Sequence, residues 1–191
     1  MRYGTLIIAS AAALALAGCG KNTETTSIDN TTIVSSDPAN VGVPAALPAA
    51  SAGQTFANAA ASSDAFEIAT SQLAQATSTS AAVKAFAAKM IEAHTGSTAK
   101  LKTAAATATP ALTPDPTLTA EQQATLDALK TKTGADFDQA YKTAQVNGHQ
   151  ATLDALKAYS TSGDVPQLKA FATELVPTVT AHLNMAKGLK A

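Results

Sequence analysis

Cysteine occurs once, at Cys19, arginine once, at Arg2, and tryptophan not at all. A lone cysteine excludes an internal disulfide and a cysteine-built metal site. Aromatic residues are only 4% of the chain although hydrophobic residues reach 46%. Alanine carries the difference, which favours helix and thins the core relative to that percentage. Lys+Arg total 13 and Asp+Glu 14. With no basic surplus, the balance argues against a nucleic-acid partner. Missing too are a Gly-x-Ser-x-Gly elbow, a P-loop, a dinucleotide fingerprint and a His-Glu-x-x-His helix. The carboxylates are scattered, and no general acid/base pair can be singled out. Enzymatic chemistry therefore has no motif to support it.

Apolar runs are equally scarce, and the one that exists is informative. Residues 5–17, TLIIASAAALALA, follow Met1 and Arg2 and end at Gly18. A charged start, a short apolar stretch and a small residue make up a secretory signal peptide, too short for a comfortable membrane span. Leu16-Ala17-Gly18-Cys19 resembles the lipobox of bacterial lipoproteins. That resemblance implies a diacylglycerol on the Cys19 sulfur, cleavage after residue 18 and acylation of the new amino terminus. Several buried acyl chains, at about 0.8 kcal/mol per CH₂, anchor far more firmly than one. Gly20 stands where aspartate would resemble an inner-membrane retention signal, which favours the outer membrane, facing the periplasm.

Residues 19–53 are rich in Thr, Ser, Asn, Pro and Ala without period and read as a tether with a root-mean-square reach of about 30 Å. From residue 54 to 191 the periodicity is helical. Helices are expected over about 54–76, 81–107, 119–133, 136–160 and, after Ser162-Gly163-Asp164, a turn with an N-cap, to about 187. Thr119 and Gln122 form a capping box, Gly134 closes the third helix, and PALTPDPTL at 110–118 is a loop. The expected domains are thus a signal peptide (1–18), a lipidated tether (19–53) and one helical domain (54–191).

The segment STSAAVKAFA at 78–87 is echoed by STSGDVPQLKAFA at 160–172. Two similar helical hairpins imply an all-α bundle of four long helices, with the 119–133 helix in the crossover. Phe86 and Phe171 would be equivalent core residues. Each of three helices carries one histidine, His94, His149 or His182, on its apolar stripe. Glu67 shares a stripe of the first helix. Three imidazoles and a carboxylate inside a bundle suit a divalent metal such as Zn²⁺, or iron. They suit structural hydrogen bonds better still, with Gln145, Tyr141 or Thr178 as partners. Counted from the hairpin turns, Glu67 and His149 stand about 7 Å out of step with His94 and His182. Pro177 should bend the fifth helix without breaking it, turning His182 inward.

Glu67-Ile68, Lys84-x-Phe86-Ala87, Met90, His94, Phe137-Asp138-x-x-Tyr141, Gln145-Val146, His149, Phe171-Ala172, Pro177 and His182 together resemble the domain-of-unknown-function 4142 family. Over about 54–189 that resemblance implies a ferritin-like helical fold and a place in the cell envelope, but no settled activity. The Glu-x-x-His pairs of di-iron centres are absent, since Ile91 and Val179 stand three residues before His94 and His182. Two readings follow. One is a lipid-anchored, non-enzymatic interaction or stress-related accessory protein, needing no cofactor and meeting the membrane through its lipid and an unidentified protein partner. The other is a metal-binding bundle using Glu67, His94, His149 and His182.

The lipobox is tested directly. The chain should incorporate labelled lipid and sediment with membranes, and Cys19→Ala should abolish both lipid incorporation and normal processing. A Cys19→Ala protein that is still lipidated and processed would refute the anchor.

Overall fold

The computed structural model describes residues 50–191; the signal peptide, Cys19 and nearly all of the tether lie outside that range. Five helices run in order: α1 (Ala52–Thr77), α2 (Ala81–Ala106), α3 (Ala120–Lys130), α4 (Gly134–Ser162) and α5 (Pro166–Gly188). Among the described residues there is no strand. The all-α bundle of two hairpins, α1–α2 and α4–α5, is the observed architecture, with α3 in the crossover.

Local chemistry sets the helix ends. Ser51 Oγ accepts the Gln54 N–H at 3.1 Å, and Ser80 Oγ accepts the Val83 N–H at 3.4 Å. Each meets one of the four N–H groups that a helix start leaves unpaired. Thr119 and Gln122 form the expected capping box, bonding each other's backbone reciprocally. Two boundaries differ from expectation. α3 already stops at Lys130, and Gly134, with φ of 56°, opens α4 instead of closing α3. That left-handed value suits glycine, which has no Cβ to clash. At the start of α5, Asp164 does not cap the helix. It accepts the Tyr159 hydroxyl at 2.7 Å, and Pro166 enters at the first turn, where its missing N–H costs nothing. α1 also begins earlier than the tether boundary at 53 suggested, with Gly53 already buried inside it.

Two apolar clusters fill the bundle. One joins Phe56 at the start of α1, Leu101 near the end of α2, Tyr159 near the end of α4 and Phe171 near the start of α5. Phe56 stacks on Tyr159 with ring centroids 3.9 Å apart. The other joins Ala74, Phe86, Phe137, Tyr141 and Ala186, from the opposite helix ends. The two hairpin turns therefore lie at opposite ends of the bundle. Since α2 finishes at one end and α4 starts at the other, the crossover must travel the bundle's length, and α3 lies across α1 and α4 on the way. A single long crossover is the connectivity of ferritin-like bundles. α5 runs unbroken through Pro177, and His182 points inward, 8% exposed.

Phe86 and Phe171 are both buried, one in each cluster, as two related hairpins in opposite orientation require. Replacing either with alanine should lower the unfolding free energy by about 3–5 kcal/mol. Urea unfolding that registers less than about 1 kcal/mol at both would remove them from the core.

Candidate metal centre

Between the two apolar clusters lies a polar layer. His94 stands at the middle of α2 and His149 at the middle of α4. The expected 7 Å misfit was counted from the hairpin turns, and those turns are at opposite ends of the bundle. The rings in fact meet. Centroids are 5.5 Å apart for His94–His149, 5.7 Å for His94–His182 and 5.5 Å for His149–His182. One ligand nitrogen from each lies within 4.8 Å of the others. Nitrogens around a tetrahedral zinc stand about 3.3 Å apart, given Zn–N bonds near 2.0–2.1 Å. Small ring rotations would close the difference.

The outer nitrogens of two rings are already committed. His94 Nδ1 bonds Asp64 Oδ1 at 2.8 Å, and Thr98 Oγ1 donates to Asp64 Oδ2 at 3.2 Å. His149 Nδ1 donates to the Gln145 carbonyl at 2.8 Å. These bonds place the N–H of each neutral ring on the outside and a lone pair on Nε2. His94 Nε2, His149 Nε2 and His182 Nδ1 are buried without a hydrogen-bond partner. Buried polar atoms are normally paired. Here three unpaired ones converge. A carboxylate behind a ligating imidazole is also the usual outer support of a metal site, and it orients the ring and raises its basicity.

None of the three side chains expected to satisfy the imidazoles does so. Tyr141 Oη pairs with Ser71 Oγ at 2.8 Å, Gln145 Nε2 donates to Thr70 Oγ1 at 3.1 Å, and Thr178 is exposed. Glu67, expected among the ligands, stands outside the convergent set. Its Oε1 is 3.5 Å from His149 Nδ1, on the outer edge of that ring. Gly148 makes room for it, because a Cβ there would sit 2.7 Å from Glu67 Oε1. Asp64, not Glu67, is the carboxylate that holds a histidine. It lies one helical step of three before Glu67, so the same stripe of α1 contained it. Cys19 lies outside the described residues.

Electrostatics divide the layer. Burial pushes the Glu67 carboxyl up to about 7, against the pull of the neighbouring His94. Burial and the nearby His94 cation push His149 down to about 3 and His182 down to about 4. For His94, burial opposes the cation, but the Asp64 hydrogen bond and the Glu67 and Asp64 charges outweigh it, so its value rises. Two of the three imidazoles are thus neutral, and open to a metal, throughout the neutral range.

The family model described as "Domain of unknown function (DUF4142)" matches residues 39–189. No curated protein and no solved structure matches.

The raised Glu67 value has a signed consequence. An acid neutral in the fold but ionised in the unfolded chain gives full stability below about pH 4.5, which is lost as pH rises through about 7. In metal-free protein the loss should be on the order of 3 kcal/mol relative to Glu67→Gln, which has no proton to release. Denaturant unfolding from pH 4.5 to 8 measures it. Parallel profiles for the two proteins would disprove a neutral Glu67.

Proposed function

The chain belongs to the DUF4142 family, a domain of unknown function, and from that premise we propose that it is a metal-binding protein of the bacterial cell envelope. A divalent transition ion would be held by His94, His149 and His182, with Asp64 and the Gln145 carbonyl orienting two of the rings. The observation that carries this reading is the convergence of three buried, unpartnered imidazole nitrogens within 4.8 Å. Buried imidazole nitrogens without partners are unfavourable in an apolar bundle, and a cation between them would pair all three, displacing any proton on His94. An all-nitrogen set suits Zn²⁺, Cu²⁺, Ni²⁺ or Fe²⁺ and disfavours Mg²⁺ and Ca²⁺, which take oxygen ligands. Three protein ligands leave a position free, as in open zinc sites.

Location supports the same reading from the other end of the chain. Residues 5–19 read as a lipoprotein signal, and no helix among the described residues is long and apolar enough to cross a membrane. Attachment would then rest on the Cys19 lipid, holding the bundle at the outer membrane in the periplasm. The competing reading, a non-enzymatic interaction or stress-related accessory protein, would lean on an apolar docking face. Among the described residues Met185 is the sole exposed large hydrophobic.

Elemental analysis and zinc titration of the purified chain test the proposal. We expect one ion per chain, lost in His94→Ala and bound about 10–100-fold more weakly in Asp64→Asn. Zinc at 100 times its dissociation constant should raise stability by about 2.7 kcal/mol, and His94→Ala should not respond. Protein that stays metal-free under these conditions, or His94→Ala with unchanged affinity, would overturn it.

A further inference from the structure

Between α2 and α5 a cleft of about 500 Å³ runs inward to the histidine layer. His94 and His182 line its inner end, and the fully buried His149 lies behind them on α4. The opposite face of the bundle, formed by α1 and α4, is crossed by α3. The α2–α5 side is thus the approach to the centre from solvent. Three imidazoles leave a tetrahedral ion one free position. A fourth protein ligand would have to reach it from this cleft.

Few of the lining side chains qualify. Residues three or four apart share a helix face, whereas residues two apart do not. Glu92 lines the cleft but stands two residues before His94, exposed and on a different face of α2. Lys89 and Lys100 carry ammonium groups, which have no lone pair to give. Ser97 and Thr178 offer only neutral hydroxyls. Asp64 is engaged with His94 and Thr98. Met185 remains. It follows His182 by three residues on α5, lines the same cleft and is 37% exposed. At that spacing Cβ atoms are about 5–6 Å apart. Methionine Sδ and histidine Nδ1 each stand two bonds beyond Cβ, and the methionine side chain turns freely. Its sulfur can therefore swing toward an ion held at His182 Nδ1, the unpartnered nitrogen of that ring.

Methionine is also scarce enough for its placement to be telling. The chain has three, one of them the initiator Met1. Met90 stands four residues before His94, but it is sealed in the apolar cluster with Phe86 and Ala186. Met185 is the sole exposed large hydrophobic among the described residues, so burial of its apolar surface does not account for it. A thioether is a soft donor that favours Cu(I), whereas zinc takes imidazole, thiolate and carboxylate. We propose that Met185 completes a three-histidine, one-thioether site for Cu(I), its sulfur joining His94, His149 and His182. This rests on the metal reading above and deepens it: the same rings also take a soft monovalent ion, and Met185 is the residue that selects it.

The test compares the full chain with Met185→Leu and Met90→Leu, each of which replaces a thioether by an apolar group of similar size. Cu(I) affinity is read anaerobically by competition with the chromophoric chelator bicinchoninate, and zinc affinity by titration. X-ray absorption at the copper edge counts sulfur neighbours in the unsubstituted protein. One sulfur should be present beside the nitrogens. Met185→Leu should remove it and weaken Cu(I) at least about tenfold, while zinc changes less than about twofold. Met90→Leu should keep the sulfur signal. Copper bound by nitrogen alone, a sulfur signal that survives Met185→Leu, or equal weakening of copper and zinc would overturn the role of Met185 while leaving the histidine centre standing. Failure to bind either ion would overturn the metal reading and this inference with it.

Discussion

A layer of buried polar side chains at mid-bundle is the constraint from which the rest of this structure follows. Asp64, Glu67, His94, Gln145, His149 and His182 are all buried there, with apolar clusters on either side. Removing polar groups from water costs several kcal/mol each unless they find partners. The layer is only partly paired. Asp64, itself held by Thr98, and the Gln145 carbonyl satisfy the outer nitrogens of two rings, and the inner nitrogens face one another unpaired. A half-satisfied buried network is poorer than an apolar core of the same volume. Such a layer is therefore intelligible as a binding site that the two apolar ends hold together.

Those ends are built from few large residues. All five phenylalanines and both tyrosines of the described chain are buried. All but Phe66, which stands beside Glu67 in the middle of α1, lie toward the ends of α1, α2, α4 and α5, leaving the middle mostly to histidine, carboxylate and small residues. Small residues there let helices approach closely, and Gly148 is the clearest case, since it accommodates the Glu67 carboxylate against α4. The same crossover that makes α4 start at the far end of the bundle lays α3 over α1 and α4. Access to the polar layer is thereby left to the α2–α5 side. Topology, core placement and access are one arrangement.

Much of this was legible in the order of residues. Helical periodicity, the Thr119 capping box and the prolines of 110–118 depend on neighbours three or four residues apart, so local chemistry determined them. The repeated Lys-Ala-Phe-Ala segment made the hairpins visible, and the three histidines could be placed on inward stripes. The boundaries that shifted, Gly134 and Asp164, did so where two local signals competed. Gly134 could end one helix or begin the next. Asp164 could cap α5 or accept the Tyr159 hydroxyl five residues back, and the second option also ties down the turn.

Which stripes face each other at the same height was not a local matter. Sequence separation fixes position along one helix, but the relative height of two helices depends on which ends their turns occupy. Counting from the turns put Glu67 and His149 out of step with His94 and His182. Antiparallel packing of the hairpins brought the three rings to one level and set Glu67 behind His149. Asp64 emerged as the partner of His94 for the same reason, thirty residues away in sequence and 2.8 Å away in space. The chain alone determined its helices, its caps and its inward-facing residues, because those follow from contacts within a few residues. The meeting of three imidazoles, the carboxylate that orients one of them and the cleft that reaches them were decided by tertiary packing, because each requires residues from separate helices at one height.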